Sequence, residues 1–354
     1  MKKSFSCLFM LTVCLGLFAQ ADSIKPQVRK PRRPMMDVRN PDVHDPVMAR
    51  GEDGRYYIFS TGMNVGVMSS TDMVEWRRER SALKETPTWA MDTVPGYRGH
   101  TWAPDISYHN GLWHLYYSCS TFGKNGSAIG LAVNKTLDPA SPDFEWKDRG
   151  MVIASHRNVD NFNAIDPNLI VDNEGRPYLS FGSFWDGIQL VELSKEDFQT
   201  PVSAPVTISR RIDHQVNLKD IKHTVEGQNT IEAGENAVEA PFIFRHGKYY
   251  YLFVSFDYCC RGENSTYKTV YGRSEKITGP YIDKEGKEME KGGGTYLYGP
   301  NNDFFGIGHN SVYEFDGQIY FLSHAYEKKS NGRAKLFLRP IRFDGDGWIL
   351  TEKE

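Results

Sequence analysis

Short apolar and aromatic runs alternate along the chain with polar turns, and one version of that pattern recurs five times. The clearest copy is Asp166–Ser183. Asp166-Pro167 opens it, Leu169-Ile170-Val171 follows, a polar turn ends in Gly175, and Tyr178-Leu179-Ser180-Phe181 forms the second run. Such a segment predicts two short strands joined by a tight turn. The other copies open at Asp45-Pro46, Ala103-Pro104, Glu239-Ala240-Pro241 and His309-Asn310-Ser311. The five turn glycines are Gly54, Gly111, Gly175, Gly247 and Gly317, in steps of 57, 64, 72 and 70 residues. Repeats of that length holding only strand signals predict four-stranded units, and five of them predict an all-β, five-bladed β-propeller.

No linker or long amphipathic helix interrupts residues 43–354, so one domain is expected there. Gly66–Ser70 and Ala128–Val133 read as outer strands of their units. The tract 205–236 is polar and irregular and reads as a loop excursion that lengthens the third unit. Ser70-Thr71-Asp72 before Trp76 is the kind of turn whose side chains bond local backbone, a structural device. Residues 22–42 are rich in Pro and Arg and read as a leader lying across the surface of the fold. Residues 1–21 read as a signal peptide: Lys2-Lys3, an apolar run from Phe5 to Phe18, and Ala19-Gln20-Ala21 with cleavage after Ala21. The run is short for a membrane span. Val13 is large where a lipoprotein signal ahead of Cys14 needs a small residue, so export to a periplasm or the medium is preferred over lipid anchoring.

A net charge of −3 with mixed signs lacks the basic face of a nucleic-acid binder. The 19 Tyr, 20 Phe and 7 Trp mostly serve strand packing, and a few at a polar cleft would suit stacking on sugars. Export leaves Cys119, Cys259 and Cys260, too few for a disulfide scaffold. A bridge between the adjacent Cys259 and Cys260 would be a strained ring; a bridge and two free thiols both stay open.

In a propeller the first strand of each unit lines the axis, so the openings of the repeats converge on a central depression. They hold His44-Asp45, Trp102, Asp166, Glu239 and His309. A single Asp-Pro is ordinarily a turn former, but carboxylates at three of five equivalent openings point to chemistry. Paired carboxylates without a metal-ligand cluster or a nucleophile elbow suggest glycoside cleavage. One must stay ionised to take a proton from water, and another must hold a proton for the departing sugar oxygen. A third ionised carboxylate beside the acid would raise its pKa.

The motifs His44-Asp45-Pro46, Trp102-Ala103-Pro104-Asp105, Asn163-Ala164-Ile165-Asp166-Pro167, Val238-Glu239-Ala240-Pro241 and Gly308-His309-Asn310 resemble those of glycoside hydrolase family 43. Ser120-Thr121-Phe122-Gly123, Gly182-Ser183-Phe184-Trp185 and Phe256-Asp257-Tyr258-Cys259-Cys260 resemble its endo-1,5-α-L-arabinanase branch. The resemblance covers roughly Pro41 to Tyr326. It implies Asp45 as general base, Glu239 as general acid, and Asp166 as the auxiliary acid that raises the pKa of that Glu and orients it. It also implies inversion in one step, with base and acid carboxyls about 6.5–9.5 Å apart. His309 resembles a residue facing a mostly water-ligated calcium ion. Trp102 and Phe122 resemble a platform for arabinofuranose rings; His44, Asn163 and Ser183 resemble contacts to sugar hydroxyls. Asp105 is expected to serve structure or the outer rim.

The implied partner is plant cell-wall arabinan or its oligosaccharides, with no nucleic acid and no membrane span, acted on by a monomer. Endo action is favoured by the Ser120–Gly123 and Gly182–Trp185 segments. An exo-acting α-L-arabinofuranosidase or β-xylosidase is the alternative within the family, and a non-catalytic carbohydrate-binding propeller the alternative outside it. Protein-interaction propellers of the WD or kelch kind would have shorter, more regular repeats.

Overall fold

The turns that punctuate the repeat are hairpin turns. All five turn glycines take φ of +59° to +79°. At Asn110-Gly111 and Asp316-Gly317 both residues are left-handed, which gives two-residue loops whose twist matches that of the flanking strands. The computed structural model describes residues 36–220 and 235–350. The expected signal peptide, the leader up to residue 35 and residues 221–234 of the polar tract lie outside the described residues.

Each hairpin opens an antiparallel sheet. The pairs are Val47–Arg50 with Tyr56–Ser60, His100–His109 with Leu112–Cys119, Asn168–Val171 with Pro177–Phe181, Val238–His246 with Tyr249–Phe256, and Phe304–Phe315 with Gln318–Glu327. A third strand and then a fourth complete every unit, so five four-stranded meanders follow one another along the chain. Backbone pairing also crosses between units. Gly62–Met63 pairs with the start of the second sheet, and Lys268 pairs in parallel with Ile307 to join the fourth sheet to the fifth.

Alternation along each strand sends side chains to both faces, and both faces are covered. Tyr57 and Phe59 pack with the second sheet, whereas Tyr56 and Ile58 pack with Leu322 of the fifth. Further apolar clusters lie between the second and third, third and fourth, and fourth and fifth sheets. The first strands of the sheets touch in chain order, and that of the fifth touches that of the first. The end of the leader lies along Arg333–Phe343, the third strand of the fifth sheet. Val43 N–H donates to the Ala334 carbonyl at 3.2 Å, Leu336 N–H to the Pro41 carbonyl at 3.1 Å, and Asp42 bridges to Lys335.

One expectation needs correcting. The tract 205–236 is not wholly a loop excursion, because Val206–Ser209 is the outermost strand of the third sheet, paired with Ile188–Leu190. Its alternation is only two residues deep, with Val206 exposed and Ile208 buried, so the free edge of the neighbouring strand decides its conformation. Asp72 does bond local backbone, accepting from the amides of Val74 and Glu75 at 2.8 and 2.9 Å.

Candidate active site

The openings of the five inner strands share a backbone device. Asp45, Ala103, Asp166, Ala240 and His309 all sit at positive φ, between +28° and +58°, where a side chain is disfavoured. In three of the sheets the strand register slips at this point, between Trp102 and Asp105, Glu239 and Phe242, and Gly308 and Ser311. A bulge of this kind re-aims the side chains on either side of it.

A group from another part of the chain pins each strained amide. Asp45 N–H donates to His324 Nδ1 (3.1 Å), Ala103 N–H to Thr61 Oγ1 (2.9 Å), and Asp166 N–H to Ser118 Oγ (3.0 Å). Ala240 N–H donates to Asp166 Oδ2 (3.1 Å) and His309 N–H to Ser255 Oγ (2.8 Å). Strain persists where the surroundings over-determine it. The device also shows that the functional positions are not all equivalent: Asp45, Asp166 and His309 occupy the left-handed position, and Trp102 and Glu239 the position before it.

All nine residues singled out from the sequence line one cavity of about 770 Å³: His44, Asp45, Trp102, Phe122, Asn163, Asp166, Ser183, Glu239 and His309. The first and fifth sheets supply one wall. There Asp45 Oδ1 receives His44 Nδ1–H at 2.8 Å and His309 Nδ1–H at 3.0 Å, and Oδ2 receives the Thr61 hydroxyl at 2.5 Å. A carboxylate offers about four acceptor directions, so one is left for water. Burial works to raise the Asp45 pKa, but the cationic His309 and His44 outweigh it and hold the carboxyl well below its usual range. Asp45 in turn holds His309 up at about 9, against burial and with help from Asp166, and lifts His44 well above its usual value. His324, fully buried beneath His44, is kept neutral by burial and by its two cationic neighbours.

The opposite wall comes from the third and fourth sheets. Glu239 Oε2 accepts from the Ser183 hydroxyl at 2.7 Å and Oε1 from the Tyr267 hydroxyl at 2.8 Å. Asp166 is raised to about 8 by burial, with the negative charges of Glu239 and Asp45 adding to it and His309 opposing. In the free site Asp166 therefore holds a proton at neutral pH.

The other expected contacts are placed as follows. Trp102 donates from Nε1 to His100 Nδ1 at 3.1 Å, and Phe122 is 60% exposed at the cavity edge, free to meet a ring. Asn163 accepts from Ser127 Oγ at 2.7 Å. His44 has both ring nitrogens engaged, the second with the Tyr326 hydroxyl at 2.9 Å, so it orients Asp45 before it meets any sugar. Asp105 serves structure: it accepts from Leu169 N–H and Asn168 Nδ2, away from the cavity.

The cationic His309 carries a proton on Nε2 and has no lone pair for a metal, so it would hold a chiefly water-ligated calcium ion only once that proton is released. Its Nδ1 faces Asp45, and among the described residues no hydrogen bond reaches Nε2. That carboxylate–imidazole pair is the usual support behind a metal-bound histidine, although calcium takes about six to eight oxygens. His44, Asp45 and His324 also bring three ligand atoms within 4.8 Å of one another. Those atoms already serve each other, since His44 Nδ1–H donates to Asp45 and His324 Nδ1 accepts the Asp45 amide.

Sequence reasoning missed Thr61, Tyr267, His324 and Tyr326. Thr61 follows the second strand of the first sheet, as Ser118 and Ser255 close the second strands of theirs, and that repeat signal was available. Tyr267, His324 and Tyr326 have no motif; their place is set by later strands folding back.

A family model described as glycosyl hydrolases family 43 matches residues 32–349. The chain is 47% identical to an extracellular exo-α-(1→5)-L-arabinofuranosidase of Cellvibrio japonicus, over 88% of this chain and 87% of that protein. It is 40% identical to an extracellular endo-α-(1→5)-L-arabinanase of Bacillus subtilis, over 86% of each. Among solved structures, an exo-1,5-α-L-arabinanase from a bovine ruminal metagenomic library superposes with a TM-score of 0.83 at 58% identity, covering 91% of this chain and 100% of that one. With its carboxylates gathered in one cavity and its whole described length matched, the chain belongs to glycosyl hydrolase family 43, and it is a glycosidase.

Proposed function

We propose that the protein is an exported, inverting glycosidase that shortens α-1,5-linked L-arabinofuranose chains of arabinan from their ends. The observation that carries the chemistry is the contrast between the cavity walls: Asp45 is kept ionised by imidazoles, while Asp166 keeps a proton. Exo action is supported by the names of the more similar relatives. The endo mode favoured by sequence motifs remains the second reading, supported by the B. subtilis relative and by the presence of Thr121–Gly123 and Ser183–Trp185 on the cavity wall. The five meanders are proposed to close as a five-bladed propeller, which the contact of the fifth inner strand with the first supports.

In the proposed reaction a water molecule occupies the acceptor direction left open on Asp45. Asp45 takes its proton as the oxygen attacks the anomeric carbon, and the bond to the departing sugar oxygen breaks. Glu239 Oε2, the oxygen on the side of cavity-lining Ser183, gives a proton to that oxygen; Tyr267 steadies the charge left on Oε1. Asp166 hands its proton to Glu239 beforehand. A calcium ion held by His309 Nε2 and water would supply positive charge beside the three carboxylates. Trp102 and Phe122 would stack on the sugars, and Asn163 would bond to a hydroxyl.

Incubation with linear arabinan, branched arabinan and xylan, with products chromatographed over time, tests the reading. Exo action gives one short product from the first minutes; a ladder of mixed oligomers would establish the endo reading instead. Absence of new reducing ends from either arabinan would remove the arabinan assignment.

A further inference from the structure

The cavity wall holds one reactive feature that the hydrolytic reaction does not use, the adjacent thiols of Cys259 and Cys260. Their Sγ atoms face each other at 2.7 Å, with Cys260 exposed and Cys259 half-buried. The third described cysteine, Cys119, is buried in the core between the first two sheets and takes no part.

The segment that carries the pair is fixed on both sides. Asp257 is held by Arg211 Nε at 2.9 Å and Lys268 Nζ at 2.6 Å. Tyr258 and Thr266 exchange hydrogen bonds across the base of the loop, at 3.1 and 3.2 Å. Cys260 itself sits at φ +62°, and its amide donates to the Tyr326 hydroxyl at 2.7 Å. Little freedom remains to be lost when the two sulfurs join, so the loop is preorganised for contact between neighbours that would otherwise point apart.

We propose that Cys259 and Cys260 form a dithiol site, open to the sugar cavity, that a low-molecular-weight disulfide converts reversibly to a bridged pair. Cys260 is the attacking thiol: it is the exposed one, and His44 Nε2 lies 3.9 Å from its sulfur. The bond to Cys259 pulls the Cys260 thiol down to about 6 against the effect of burial, with His44 helping, whereas Cys259 is pushed well above the usual value. The Cys260 thiolate attacks one sulfur of the small disulfide and expels the first thiolate. Cys259 then loses its proton to solvent and attacks the Cys260 sulfur, expelling the second. Two electrons pass from the protein to the small disulfide; one Sγ–Sγ bond forms and two small thiols leave. Arg261, which also lines the cavity, and the cationic His44 suit an anionic reagent such as oxidised glutathione. Adjacent α-carbons stand about 3.8 Å apart, closer than the roughly 4.4–6.8 Å of ordinary bridges, so the ring is strained and easily reduced.

The test uses the purified protein and trypsin. Cleavage after Lys248 and Arg261 releases Tyr249–Arg261, which contains both cysteines and no other. After treatment with oxidised glutathione, this peptide should be lighter by two hydrogens and refuse iodoacetamide; dithiothreitol should restore both alkylatable thiols. A peptide that keeps two alkylatable thiols, or that carries a stable glutathione adduct, would overturn the proposal. So would a Cys259→Ser variant that resists glutathione addition at Cys260, since that sulfur is assigned the first attack. The chemical result stands apart from the arabinan assignment. A separate arm asks whether an arabino-oligosaccharide slows iodoacetamide labelling of Cys260 severalfold, as a site within the sugar cavity requires; unchanged labelling would place the pair outside the occupied cavity and overturn that placement.

Discussion

The two walls of the cavity solve opposite problems with similar depth of burial. On one, Asp45 is surrounded by imidazoles and a hydroxyl and stays charged. On the other, Glu239 accepts from the hydroxyls of Ser183 and Tyr267 and Asp166 from the Ala240 amide, and Asp166 keeps a proton. Burial alone would have pushed both aspartates upward; the partners decide the outcome. Residues separated by nearly the whole chain, such as Asp45 and His324, make the difference because the fifth sheet packs against the first.

The strongest way to break this contrast is to remove either end of it. Asp45→Asn and Glu239→Gln should each lower arabinan hydrolysis by about 10²–10⁴-fold, the usual weight of a general acid or base. Only Glu239→Gln should regain much of its rate on an aryl arabinofuranoside whose leaving group needs no proton. Equal recovery by both variants would mean that the two walls do not have separate roles.

The pH profile sharpens it next. Raising the pH strips the proton from Asp166, so kcat/KM should fall on the alkaline side with an apparent pKa near 8. Asp166→Asn should displace that limb; an unmoved limb would assign it to another group.

Tyr267→Phe takes one donor from a buried carboxyl oxygen, a cost of about 1–3 kcal/mol. If it falls on the transition state, kcat drops about five- to 150-fold. The loss should be larger for arabinan than for the aryl substrate, which a mere folding defect would not produce.

Stability should separate the same two residues by sign. Asp45 has a depressed folded pKa, so its contribution is present above the unfolded value of about 3.9 and is lost as pH falls through the folded one. Asp166 has a raised folded pKa, so its charge costs stability as pH rises from about 3.9 toward 8. At pH 7 thermal unfolding should therefore show Asp166→Asn raised by about 2–4 °C and Asp45→Asn lowered. Phe122→Ala is the smallest change expected, within about 0.5 kcal/mol in stability, with its effect confined to KM.

Much of this arrangement was legible in the chain because a hairpin repeat advertises itself. An apolar run, a turn glycine and an aromatic run recur at each unit, and the residues that open the units are the ones the fold gathers. What escaped was of two kinds. The one-residue offset between Asp45, Asp166 and His309 on one hand and Trp102 and Glu239 on the other follows from the left-handed residue and, at Glu239 and Trp102, from a bulge; spacing does not announce either. Tyr267 reaches the site from just ahead of the third strand of the fourth sheet, and His324 and Tyr326 from the second strand of the fifth, where nothing in the local run marks them. The outer strand Val206–Ser209 was lost inside a polar tract because its pairing is decided by its neighbour. The resting proton on Asp166 needed the surrounding charges, which only three-dimensional neighbours supply.

The most direct measurement is a ¹³C NMR titration of the side-chain carboxyls in the free protein, with signals assigned from Asp45→Asn and Asp166→Asn. The signal lost in Asp166→Asn should titrate near pH 8, and the signal lost in Asp45→Asn should still be that of a carboxylate at pH of about 3.9, where an ordinary aspartate is half protonated. If the two carboxyls titrated together in the ordinary range, the opposition between the walls, and the division of labour built on it, would be contradicted.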